Sequence, residues 1–176
     1  MDSGIIIFFA VIIIGLLIIN SNKKSEDSRI SNKQANIEDI TTDLKSFKPK
    51  IDDKLKNGFT EKSIENQLYK NLIAKYQTVT QQFGIQGTSA KAIDLDIANG
   101  VVGIELKLSS EILKSTSFDR MKGQLLTYQE KRYDNENLIL MVFGSKEDSL
   151  NTAINHDLKE FCKRYDIIII YIVIKI

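Results

Sequence analysis

Cysteine and proline each occur once in the 176-residue chain, at Cys162 and Pro49; histidine occurs only at His156, and tryptophan is absent. A lone cysteine excludes an internal disulfide and a cysteine-based metal cluster, and it suits a reducing compartment. Cys162 falls in a helical pattern, Leu158-Lys-Glu-Phe161-Cys-Lys-Arg-Tyr165, which reads as a packed thiol, not a nucleophile. His156 reads as a helix-surface residue, not a general base. No Ser-His-Asp set, zinc-ligand spacing or phosphate-cradling glycine loop is visible. Charge of one sign is also missing: 24 basic residues face 23 acidic ones, for a net charge of +1. No overall basic field announces a nucleic acid, so any phosphate-binding surface has to be local.

One long apolar run is present. Gly4 to Ile19 reads GIIIFFAVIIIGLLII, without a charge. As a helix it would extend about 24 Å, against a bilayer core of about 30 Å, which is short but usable. A cleaved signal peptide would begin with positive charge and end at a small-residue site. Here the run is preceded by Met-Asp-Ser and followed by Asn20-Ser-Asn-Lys-Lys24, so a retained anchor is expected over 1–20. Asp2 before the span and Lys23 and Lys24 after it put the N-terminus outside and the body of the chain in the cytoplasm.

Residues 21–59 read as a polar linker. Ser21 to Gln34 lacks apolar periodicity and suits a tether. Ile37, Ile40, Leu44 and Phe47 then recur at helical spacing, ending before Pro49. That short helix fits a stalk, a dimerising element that would make a homodimer, or a flap on the domain.

A globular pattern follows over 60–176. Thr60 predicts the cap of a helix carrying Ile64, Leu68, Leu72 and Tyr76. Strands are expected at 78–83, 92–97, 101–108 and 138–143, with helices at 117–133 and 150–165. The last apolar run, Ile167 to Ile174, predicts a buried central or parallel strand. The order α-β-β-β-α-β-α-β describes an α/β fold with a mixed sheet and helices on its faces.

The chemistry concentrates in Ile93-Asp-Leu-Asp-Ile-Ala-Asn-Gly-Val-Val-Gly-Ile-Glu-Leu-Lys107. Asn99-Gly100 is a strong hairpin signal, because both positions tolerate positive φ. That turn sets Ala98 against Val101, Asp96 against Gly103 and Asp94 against Glu105. Alternation then places Ile93, Leu95, Ile97, Val102, Ile104 and Leu106 on a core face, with Asp94, Asp96, Glu105 and Lys107 on the other. Opposed carboxylates repel unless something neutralises them, and a divalent cation does so. Hard oxygen ligands suit Mg²⁺ or Mn²⁺. Lys107, two residues past Glu105, can reach a water or a phosphate oxygen. Such a set equips a chain to hydrolyse a phosphodiester.

This layout resembles the PD-(D/E)XK, or restriction-endonuclease-like, nuclease superfamily over roughly Ser63 to Ile176. Asp94 matches the motif aspartate, and Glu105-Leu106-Lys107 the Glu-x-Lys. Ile93 stands where the proline of the motif would be, and the neighbouring Asp96 leaves the identity of the aspartate open. Glu65 resembles the acidic residue that some members add to the metal site from the leading helix. Gln124 and Tyr128 resemble the Gln-x-x-x-Tyr element of nucleases related to recombination helicase–nucleases, and lie on one helix face. The resemblance implies an αβββαβ core with a further αβ, and a Mg²⁺- or Mn²⁺-dependent nuclease acting on DNA, with RNA as an alternative substrate. It implies Asp94, Glu105, Lys107 and Gln124 as catalytic residues and Asp94, Glu105, Glu65 and Asp96 as metal ligands. Lys114, Arg120, Lys122 and Tyr128 are the candidate contacts to nucleic acid. A non-catalytic module on the same scaffold, binding nucleic acid or a protein at the membrane, is the competing expectation.

Overall fold

Leu138–Gly144 is apolar at every position before its final glycine, and a strand can satisfy that pattern only if both faces are covered. The computed structural model, which describes residues 36–50, 59–85, 92–133 and 136–174, builds the fold around that strand. The strands are β1 (Val79–Phe83), β2 (Ile93–Ile97), β3 (Val102–Leu108), β4 (Leu138–Gly144) and β5 (Ile168–Val173). They form one mixed sheet in the order β1-β2-β3-β4-β5. The first three run antiparallel to their neighbours, and β4 and β5 continue parallel to β3. This is an α/β fold with a five-stranded mixed sheet. The run Ile168–Val173 is parallel as expected, but it pairs with β4 alone and ends the sheet.

Helix α1 (Ile37–Ser46) and helix α2 (Glu61–Ile73) cover one face. There Ile40, Leu44, Ile64, Leu68 and Leu72 meet Leu95, Ile97, Ile104, Leu106, Met141 and Phe143. Thr60 closes a capping box with Ser63 at the start of α2, as its sequence predicts. Ile40, Leu44 and Phe47, expected within the linker 21–59, pack into the same core as α2 and the sheet. The apolar stripe of α1 is buried in its own chain's core, at roughly 1.5–3 kcal/mol for each large side chain. A flap on the domain is therefore the observed role, not a free stalk.

The short α3 (Ser109–Ile112) leads into α4 (Ser115–Lys131), and α4 covers the other face. Met121, Leu125 and Tyr128 pack there against Leu138, Leu140 and Val142, joined by Ile154, Leu158 and Cys162. The single helix expected over 150–165 is broken. α5 (Lys146–Leu150) ends at Asn151, whose backbone is extended. The Asn151 side chain then accepts from Ala153 N at 3.0 Å and restarts the chain as a π-helical segment, Ala153–Leu158, which continues into α6 (Lys159–Arg164). Cys162 is buried, and burial pushes its thiol up to about 12, so it is a packed thiol and not a nucleophile.

Among the described residues no helix is long and apolar enough to cross a membrane. The span expected at 4–19 lies outside them.

Candidate active site

The turn at Asn99-Gly100 forms as its residues demand. Ala98, Asn99 and Gly100 all take positive φ, at 53°, 58° and 99°. The ladder behind it pairs Ile97 with Val102, Asp96 with Gly103 and Leu95 with Ile104. That register matches the expectation, but the ladder stops before an Asp94–Glu105 pair. Asp94 Oδ2 instead accepts the Leu106 amide at 2.7 Å, so a carboxylate replaces the carbonyl that would have continued the ladder. The two strands part at this point.

Alternation also breaks here. Leu95 and Ile97 belong to the core under α1 and α2, whereas Ile93, expected beside them, belongs to the core under α4. Its cross-strand partner Phe83 follows it to that side. Between them stands Gln82, with φ of 50°, a backbone state that an L side chain rarely holds inside a strand. Gln82 Nε2 donates to Asp94 Oδ1 and to Glu65 Oε2, both at 3.0 Å. The kink thus aims one amide at both acids.

A cavity of about 260 Å³ opens where the strands part. Asp94, Glu105, Lys107, Arg120 and Gln124 line it, together with Glu61, Gln82 and Glu111. Lys107 Nζ donates to Glu105 Oε1 at 2.6 Å and to the Leu106 carbonyl at 2.9 Å, and lies 4.0 Å from Glu61 Oε2. Glu61 Oε1 accepts the Leu108 amide at 3.0 Å, tying the start of α2 to the end of β3. Glu105 is buried, and its Oε2 is a buried oxygen with no hydrogen-bond partner among the described residues.

Burial raises the Glu105 carboxyl most, Asp94 raises it further, and Lys107 only partly offsets them, leaving it at about 7 instead of 4.5. Asp94 is raised as well, chiefly by burial, against the pull of Lys107 and the Leu106 amide. Burial disfavours the Lys107 ammonium, but Glu105, Glu61 and Asp94 together more than offset that and move it up. Lys107 therefore keeps its proton at neutral pH and acts as a fixed positive charge.

The other expected residues divide. Asp96 is fully buried away from this cavity, bound by Arg132 Nε at 3.0 Å and by the Tyr133 hydroxyl. Arg132 also stacks over the Phe83 ring, 4.1 Å from its centroid. This clamp holds the β2–β3 hairpin against the end of α4. Replacing Arg132 with Ala leaves Asp96 buried with Tyr133 alone, and a loss of about 2–4 kcal/mol is expected by urea denaturation. Glu65 does not line the cavity; it is buried behind it on Lys62, Gln81 and Gln82. Tyr128 is buried in the core, with its hydroxyl 3.3 Å from the Ala92 carbonyl. Lys114 and Lys122 are paired with Glu111 and Asp119 and do not line the cavity. His156 is exposed beside Asp157.

Glu61, Gln82 and Glu111 escaped the sequence reading. For Glu61 a signal existed: it precedes Glu65 by four residues, hence one turn earlier on the same helix face. Nothing local marks Gln82 or Glu111.

Among the described residues no three His, Cys, Asp or Glu side chains stand close enough to hold a metal ion by themselves. The carboxylates of Asp94 and Glu105 stand in the cavity wall, with those of Glu61 and Glu111 further along it. Mg²⁺ commonly takes one or two carboxylates, keeps several waters and completes its shell with substrate phosphate. The unpartnered Glu105 Oε2 fits such an ion, because an anionic oxygen in a dry wall needs a positive partner. Comparison with protein-family models, with curated proteins and with solved structures returned no match.

Proposed function

We propose that this chain is a metal-dependent phosphodiester hydrolase of the PD-(D/E)XK type, acting on DNA and tethered to the cytoplasmic face of a membrane through residues 4–19. The observation that carries the reading is the meeting of Asp94, Glu105 and Lys107 in one cavity, with Glu105 Oε2 buried and unpartnered. Asp94 and Glu105 would hold Mg²⁺ or Mn²⁺, which when bound polarises the phosphodiester and makes water a better nucleophile. Lys107, held protonated between Glu105 and the Leu106 carbonyl, offers its remaining proton to a phosphate oxygen or to the attacking water. Gln124 stands on the wall and can orient either one. Arg120, exposed at the cavity, meets a neighbouring phosphate. Hydrolysis adds water across one P–O bond and leaves a phosphate monoester and a free hydroxyl.

The two-carboxylate donor set favours a second reading as well, a module that holds nucleic acid without cutting it. One experiment separates them. The full chain in detergent is incubated with single-stranded DNA, double-stranded DNA and RNA, with Mg²⁺ or Mn²⁺ and with chelator. Cation-dependent cleavage is expected, falling about a hundred- to a thousandfold in Lys107→Ala. Binding with no cleavage of any substrate would leave only the second reading.

A further inference from the structure

Four lysines stand together where α1 gives way to the segment that crosses α2. Lys45, Lys48, Lys50 and Lys70 are all exposed, and among the described residues none is paired with a carboxylate. Lys62, Lys75, Lys107, Lys114, Lys122 and Lys131, by contrast, each have an acid within 3 Å. Asp43, one turn before Ser46 and Phe47, is already engaged by Lys75 and by the Tyr76 hydroxyl. Among the described residues no carboxylate is therefore paired with this group of four lysines.

The patch is also held in shape. Lys50 N donates to Gln67 Oε1 at 2.7 Å, and Gln67 Nε2 donates back to the Lys50 carbonyl at 3.1 Å. This two-way bond fixes the extended segment onto α2. Lys48, Lys50 and Lys70 then line one groove, and among the described residues no acid lines it. The adjoining groove is rimmed by Lys45 and Lys48 and floored by Phe47, Pro49 and the end of β5, where Val173 is 53 % exposed. Cationic rims around an apolar floor suit the boundary between headgroups and acyl chains. A nucleic-acid backbone would use the lysines and leave the apolar floor without a partner.

We infer that this face docks on an anionic lipid surface. The inference rests on the tether proposed above for what brings the face to the bilayer. Residues 20–36 separate the apolar run from α1, and a chain of that length reaches at most roughly 60 Å. Each lysine at an anionic leaflet contributes about fivefold in affinity, equivalent to about 1 kcal/mol. Docking would hold the sheet in one orientation to the membrane.

The test uses the full chain in nanodiscs of phosphatidylcholine alone or with about 30 % phosphatidylserine, an anionic surface of the kind that draws polybasic segments. Amine labelling is read by mass spectrometry, with exposed Lys146 and Lys163 as internal controls. Lys45, Lys48, Lys50 and Lys70 should be protected several-fold only with phosphatidylserine, and about 0.5 M salt should remove the protection. Equal labelling in both discs overturns the inference. So does protection that follows added duplex DNA and not the lipid. A chain that stays free of phosphatidylcholine discs overturns the tether alone. The same footprint on phosphatidylserine vesicles in suspension then decides the patch. In that format, reversing all four lysines to Glu should weaken co-sedimentation about a hundredfold or more with the circular dichroism spectrum unchanged.

Discussion

Glu105→Gln is expected to reduce phosphodiester cleavage about a thousandfold and, at the same time, to make the protein more stable above pH 7. The two effects share one cause. Glu105 is buried, with Oε2 unpartnered and Asp94 nearby, so the fold favours its neutral form and lifts the carboxyl from 4.5 to about 7. Between those two pH values the folded state holds a proton that the unfolded state has lost. Stability must therefore fall as pH rises from about 4.5 to 7 and level off above, the opposite of a salt-bridged carboxylate. The amount carried by this one group is about 3 kcal/mol. A neutral amide of the same shape removes that dependence, and it also removes the oxygen that a cation would bind. Urea denaturation of both proteins at pH 5 and pH 8 checks the first half: the curves should coincide more closely at pH 5 and separate at pH 8. Mg²⁺ at pH 8 should raise the Tm of the wild type and leave Glu105→Gln unmoved. A variant that is less stable than wild type at pH 8 would sink this account of the site.

Gly144→Ala is expected to cost a large share of the fold's stability. Gly144 ends β4, pairs with Val173 across the parallel ladder, and accepts the Ile174 amide at 2.9 Å. A methyl group there would fall inside contact distance of Ser109 Oγ, and 2.5 Å from both Ser109 Cβ and the Tyr171 hydroxyl. Neither neighbour is free to give way. Ser109 is buried and donates to Asp148 Oδ2 at 2.6 Å, and the Tyr171 hydroxyl donates to the Ser145 carbonyl at 2.8 Å. The methyl has to break these bonds or part β4 from β5. About 3 kcal/mol is expected, a fall in Tm of about 10 °C. Removing the Ser109 side chain in a Gly144→Ala, Ser109→Gly double variant should cost less than the sum of the single changes, since the two residues compete for one space. A loss below about 1 kcal/mol for Gly144→Ala would contradict the close packing at the end of the parallel strands.

How much of this was legible follows from what each signal measures. Asn99-Gly100 determined a hairpin and its register, because few sequences accept two successive positive φ values and a two-residue turn leaves one pairing. Alternation along Val102–Leu108 determined that Glu105 and Lys107 share a face. The uninterrupted run at Leu138–Phe143 determined a strand covered on both sides, and Thr60 with Ser63 determined where α2 begins. All of these are local: they depend on φ, on periods of two or four residues, and on caps a few positions away.

What covers each face is not local, and the tertiary structure alone decided it. Asp94 and Asp96 are equivalent by alternation. They differ because Arg132 and Tyr133, at the far end of α4, close over Asp96, while β2 and β3 part at Asp94 and leave an opening there. The kink at Gln82 sends Ile93 to the core under α4, which no count of apolar positions could foresee. Ile168–Val173 is apolar enough for a central strand, but the order of the parallel crossovers leaves it at the edge. The sequence by itself thus determined which side chains face the same way, since that follows from backbone geometry. The tertiary structure decided which of them are sealed, which are paired and which are left to meet a substrate, since that depends on partners 12 to 47 residues away along the chain.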